Sequence, residues 1–217
     1  MIGVEDNLKK SSVEIDGKTT PYELVRQIVS ENDEIDQLCL VAYKYVPLQV
    51  DENELNKEFW VSKQNFLEDG FLESLSNKFS KDVQIGLFSR VSVGYEGDKH
   101  IPMMDLEISK SRVNLKKIIS RFTHLGLNDG WLLETGNSYH YYGRTLIEDD
   151  KWISNFLSRC LLTSIVNSRS DIEDIVDSRY VGHSLRRGSC CLRLTTWDDK
   201  SFVPKVVYDF KTEKFLD

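Results

Sequence analysis

Two acids interrupt an otherwise apolar run at Met103-Met104-Asp105-Leu106-Glu107-Ile108. Side chains two apart on a strand point to the same face, so Asp105 and Glu107 would stand about 6.5 to 7 Å apart at the backbone. Two carboxylates at that spacing can hold one or two divalent cations. Without a cation they would repel and desolvate badly on a packed face, although a solvated sheet face would tolerate them. A second pair, Ser138 and His140, follows the turn residues Gly136-Asn137 and again shares one face of a predicted strand. A hydroxyl beside an imidazole suits a triphosphate, with added charge when the imidazole is protonated. A serine hydrolase would need a nucleophile elbow or an orienting acid, and neither is evident here. The bland alternative is a polar edge strand with a satisfied histidine. The third candidate is Asp177, which closes the apolar pair Ile175-Val176. His183, Arg186, Arg187 and Arg193 follow it, and residues 178–195 hold four arginines and no acid. Such a segment in an acidic chain can receive phosphates; a solvated loop paired to surface acids is the other reading.

The elements that must carry these residues follow from periodicity. Thr20-Pro21-Tyr22-Glu23 reads as a capped helix start, with Leu24, Val25, Ile28 and Val29 at helical spacing. Leu38 to Val46 reads as a strand, and residues 51–79 as one or two helices broken near Gly70. From Val83 the period changes to two. The spacing predicts strands over 83–93 and 101–108, a helix on Leu115, Ile118, Ile119 and Phe122, and a hairpin of Trp131–Glu134 with Tyr139–Tyr142. A helix capped by Asp149 or Asp150 comes next, then short strands near 175–180, 189–195 and 203–210. The expected class is α+β: an RRM-like antiparallel sheet over residues 81–217 with helices on one face, preceded by a small α/β lobe over 1–80 that packs on it. Trp60, Trp131 and Trp152 fall on apolar stripes and read as core.

Composition narrows the function classes. With 40% hydrophobic residues the chain can bury a real core, which argues against disorder. A net charge of −7 argues against a molecule that is basic overall and clamps nucleic acid. The four cysteines, Cys39, Cys160, Cys190 and Cys191, contain no CxxC pair, so a zinc ribbon is not expected. No apolar run is long enough for a membrane span, and the first residues do not read as a secretory signal, so the expected location is intracellular.

In this order and placement, Asp105-Leu106-Glu107, Ser138-Tyr139-His140 and Asp177 resemble the motifs of the archaeo-eukaryotic primase superfamily. The likeness is to its primase-polymerase branch, which has D-x-E in the first motif and an arginine-containing apolar strand after the third acid, here Leu192-Arg193-Leu194. The resemblance spans about residues 83–210. It implies that Asp105, Glu107 and Asp177 bind two Mg²⁺ or Mn²⁺ ions. It also implies that Ser138 and His140 hold the triphosphate of an NTP or dNTP, and that Arg193 with Arg186 or Arg187 neutralises charge on the transferred group. The implied partner is a single-stranded template or primer. A protein partner on the acidic N-terminal lobe is a further expectation. Gly136 departs from the pattern, which often has a lysine there. The competing classes are a nucleotide-binding regulatory protein on the same fold, a metal-dependent nuclease using the same acids, and a structural adaptor.

Overall fold

The computed structural model describes residues 14–44, 57–166, 171–196 and 202–216. Helix α1 (Pro21–Glu31) starts where the capping box places it: the Thr20 side chain accepts from the Glu23 N–H, and the Glu23 carboxylate accepts from the Thr20 N–H. Its Leu24, Val25, Ile28 and Val29 are fully buried. Strands β1 (Gln37–Tyr43) and β2 (Lys57–Ser62) follow, then the short helices α2 (Lys63–Leu67) and α3 (Phe71–Ser76), separated at the left-handed Gly70. The helical reading of 51–79 therefore holds only from Lys63 onward. Residues 57–62, which carry Phe59, Trp60 and Val61, pair with β1 along their whole length. Aromatic and β-branched residues suit a pleated surface, and a ready partner strand overrides a helix-like count of apolar positions. The predicted helical residue Leu55 and the predicted strand end Val46 lie outside the described residues.

The remaining strands are β3 (Gln84–Ser92), β4 (Asp98–His100), β5 (Met103–Leu106), β6 (Gly130–Glu134), β7 (Tyr139–Gly143), β8 (Ile147–Glu148), β9 (Ser164–Val166), β10 (Ile172–Asp174), β11 (Cys191–Arg193), β12 (Lys205–Asp209) and β13 (Lys214–Phe215). Helix α4 (Arg112–His124) follows β5. A helical segment over residues 149–160, α5, contains a π-helical stretch at Trp152–Leu157, and α6 (Ser178–Arg187) precedes β11. Two antiparallel sheets result. The first runs β2-β1-β3-β4-β8, with β11 also on β3, so it draws strands from both sides of residue 80. The second runs β13-β12-β6-β7-β5, and β9 and β10 form a separate ribbon. The fold is α+β with antiparallel sheets, as expected.

One face of each sheet lies in a shared core that includes Leu38, Leu40, Leu87, Trp131, Tyr139, Tyr141, Phe122 and Trp152. The first sheet's other face carries a smaller cluster of Cys39, Val41 and Phe88, with Tyr43 and Cys191 against it. Gly86 makes room there: a Cβ would meet Cys191 Sγ at 2.9 Å and Tyr43 Cε1 at 3.0 Å.

Three buried polar side chains hold β3, β4, β11 and α5 together. Ser89 Oγ lies 2.9 Å from His100 Nδ1 and 3.1 Å from Ser189 Oγ, and it accepts from the Cys190 N–H. His100 Nε2 lies 2.9 Å from Asp149 Oδ1, and the imidazole stacks on Trp152 at 4.3 Å. Ser, His and Asp thus stand in line, but Ser89 is fully buried, so this arrangement is an internal brace with no access for a substrate. Asp149 works in that brace rather than as a helix cap, since the cap position is Glu148.

Candidate active site

The second sheet sets the first two motifs side by side. In the β5–β7 register Asp105 is directly opposite His140, and His140 Nε2 lies 3.4 Å from Asp105 Oδ1. Cross-strand partners share a face, and residues alternate along a strand, so His140 and Tyr142 point away from the Tyr139 and Tyr141 rings buried in the core. The hairpin turn holds Ser138 one residue before β7. Its N–H donates to Thr135 Oγ1, and the two hydroxyl oxygens are 3.3 Å apart. Glu107 is exposed, one residue past β5, while Asp105 is half-buried.

Asp177 arrives differently from the expected strand over 175–180. Only Val176 bridges, to Leu106, and the Glu107 N–H donates to the Ile175 carbonyl. Helix α6 begins at once, with Asp177 as its N-cap: its Oδ1 accepts from the N–H groups of Arg179 and Tyr180. An N-cap acid with an extended backbone ends a strand and starts a helix in one residue, which strand periodicity cannot register. The antiparallel bridge nonetheless brings Asp177 beside Asp105, on the flank opposite His140. Cross-strand neighbours have Cβ atoms about 5 Å apart, so His140, Asp105 and Asp177 make one row.

The arginines divide by position. Arg186 is exposed on α6, whereas the half-buried Arg187 lays its guanidinium 5.8 Å over the Phe88 ring. Arg193 on β11 is opposite Gly86. Tyr180 ties α6 to β11, donating to the Cys191 carbonyl and accepting from the Cys191 N–H, both at 3.0 Å. Two residues not singled out from the sequence, Tyr43 on the outer face of the first sheet and Tyr142 on β7, are close enough to the same charged groups to feel them. Burial raises both hydroxyls above the usual tyrosine range, Cys191 and Asp105 add to the rise, and Arg193 opposes it. The same burial pushes the Cys191 thiol up to about 12, with Arg187 opposing. Tyr142 continues the Ser138-x-His140 alternation and was findable on that ground; Tyr43 comes from a distant strand and left no signal.

Polar atoms collect here without partners. His140 Nδ1, Tyr142 Oη, Arg187 Nε and Arg193 Nε are all buried and make no hydrogen bond. Buried polar groups are nearly always paired, and Arg90 Nε, Trp131 Nε1, Arg144 Nε and Trp152 Nε1 are orphaned elsewhere in the same way, so these atoms are candidates for pairing with a polar ligand.

The donor set can be weighed against a divalent cation. Three carboxylates supply the hard oxygen ligands that Mg²⁺ or Mn²⁺ takes, and the Asp177 cap bonds use only Oδ1. Among the described residues, no three His, Cys, Asp or Glu side chains already stand close enough to hold a metal ion. The residues therefore fit a divalent cation in type, while their side chains as placed do not form a set around one.

A family model, AEP-like, archaeo-eukaryotic primase 1D-like, matches residues 62–206. The chain belongs to this family. The matched span includes all the motif residues, from Asp105 to Arg193, and begins at Ser62, the last residue of β2, so Trp60 lies just outside it. No curated protein and no solved structure matches the chain. No helix among the described residues is long and apolar enough to cross a membrane.

Proposed function

We propose that this primase-family protein is a metal-dependent nucleotidyltransferase, joining an incoming NTP or dNTP to the 3′-hydroxyl of a nucleic-acid strand. The observation that carries the reading is the row His140–Asp105–Asp177; the buried, unpaired Nε atoms of Arg187 and Arg193 support it. Asp105, Glu107 and Asp177 would hold Mg²⁺ or Mn²⁺. Bound there, the cations would offset charge on the triphosphate and on the attacking oxygen. Ser138 and His140 would position the triphosphate by hydrogen bonds. The 3′-oxygen would bond to the α-phosphorus as the bond to the β-phosphate bridging oxygen breaks, releasing pyrophosphate. Arg187 and Arg193 would meet the charge that develops on that leaving group. No covalent enzyme intermediate is required.

The test is incorporation of labelled nucleotide into a primed template with Mn²⁺. Asp105→Ala should abolish it while the far-UV spectrum and thermal midpoint stay close to wild type. Undiminished incorporation by that variant would remove the metal assignment. One observation favours a second reading, a nucleotide-binding protein without transfer: the Asp177 carboxylate is already committed to capping α6. Metal-dependent nucleotide binding with no primer extension would select it.

A further inference from the structure

We propose that Trp60 and Arg90, on the outer face of the first sheet, stack a base of single-stranded nucleic acid. The strand then crosses the β2-β1-β3-β11 face toward Arg187 and Arg193. Its direction rests on the nucleotide site proposed above; the stacking surface does not. Trp131 and Trp152 are buried as tryptophans usually are, but Trp60 is 42% exposed although it lies within a paired strand. The Arg90 guanidinium lies 5.7 Å from the Trp60 ring centroid, and its Nε makes no hydrogen bond but is ion-paired with Asp98 Oδ2 at 3.6 Å. Trp60 is opposite Cys39, and Cys39 packs with Phe88, over which Arg187 lies. One sheet face therefore carries two arginine-on-aromatic pairs and ends at Arg193. From β2 to β11 is three interstrand steps, about 14 Å, which spans a few nucleotides.

This alternation of flat rings and guanidinium groups is what sequence-tolerant binding of single strands uses, since every base has a π face and every phosphate a charge. The local arginines matter because the chain as a whole is acidic, at −7, and offers little long-range attraction. Two acids share the face. Glu58 is two residues from Trp60, and Asp98 lies 3.6 Å from Arg90. They place the phosphates on the Arg187 side and a base at Trp60.

The experiment uses the full chain and fluorescein-labelled oligothymidylate, read by anisotropy, with a fluorescent ATP analogue plus Mn²⁺ read separately. Trp60→Ala should weaken oligonucleotide binding about 5- to 100-fold, and Trp60→Phe should restore most of it. Neither should change affinity for the ATP analogue. Arg90→Gln should weaken oligonucleotide binding and flatten its salt dependence. Wild-type oligonucleotide affinity in Trp60→Ala, or no oligonucleotide binding by the wild-type chain, overturns the inference while leaving the nucleotide site standing if the analogue still binds. Trp60-dependent oligonucleotide binding without analogue binding supports the inference and overturns the nucleotide site instead. A Trp60 surface that captures only proteins, with no oligonucleotide signal, also counts against it.

Discussion

Asp177 combines two roles that substitution can separate. As an N-cap its oxygen accepts two backbone N–H groups of α6, and asparagine caps nearly as well as aspartate. As the third carboxylate of the row it needs its charge. Asp177→Asn should therefore leave the denaturant midpoint within about 0.5 kcal/mol of wild type yet lose most metal-dependent nucleotide affinity. Asp177→Ala should lose the affinity and about 1 kcal/mol of stability as well. An undiminished stability in Asp177→Ala would mean the cap does not matter; undiminished nucleotide affinity in both variants would remove Asp177 from the site. The cysteines make a second expectation at this scale. Burial pushes the Cys39 and Cys190 thiols up to about 11 and Cys191 to about 12. The thiolate is the reactive form, so alkylation at neutral pH should be slow in the folded chain and rapid after unfolding, as mass spectrometry would read it.

Among the elements, the His100 brace and the β6–β7 contact have the sharpest consequences. Burial holds the His100 imidazole below its usual 6.5; Asp149 opposes that, and Arg90 and Asp98 act in opposite directions. The unfolded chain therefore binds a proton that the folded chain refuses. This stability is present above about pH 6.5 and is lost as pH falls from there toward the folded value. The thermal midpoint should drop as pH falls below about 6.5, and His100→Gln should flatten that slope from a lower starting stability. At the hairpin, a Cβ on Gly130 would lie 2.1 Å from the Tyr142 carbonyl oxygen. Gly130→Ala should cost about 3 kcal/mol, and nucleotide affinity should fall with it because β7 carries His140. At this scale the sequence was legible wherever one period ran unbroken: α1, α4, β3 and the β6–β7 hairpin all lie where the spacing put them. It misled at 57–62, where pairing to β1 outweighed a helix-like stripe. It misled again at 175–180, where a single residue is both strand end and helix cap.

For the whole molecule, the expectation is linkage. A ligand that binds only the folded state stabilises it by about 2.7 kcal/mol at a hundred times its dissociation constant. In a chain of this size that raises the thermal midpoint by roughly 5 to 10 °C. Mn²⁺ with a nucleoside triphosphate should produce such a shift, and Asp105→Ala should erase it; equal shifts in both proteins would place any binding elsewhere.

Periodicity was enough to give the α+β class, and the order of the motifs at Asp105/Glu107, Ser138/His140 and Asp177 carried the family resemblance; alternation along one strand says which side chains can share a face. The row His140–Asp105–Asp177, the choice of Arg187 rather than Arg186 against Phe88, the electrostatic coupling of Tyr43 with Tyr142 and the exposure of Trp60 came only with the tertiary structure. Those facts depend on register between strands far apart in the chain and on where one sheet comes to rest against another, and neither leaves a periodic trace in the sequence.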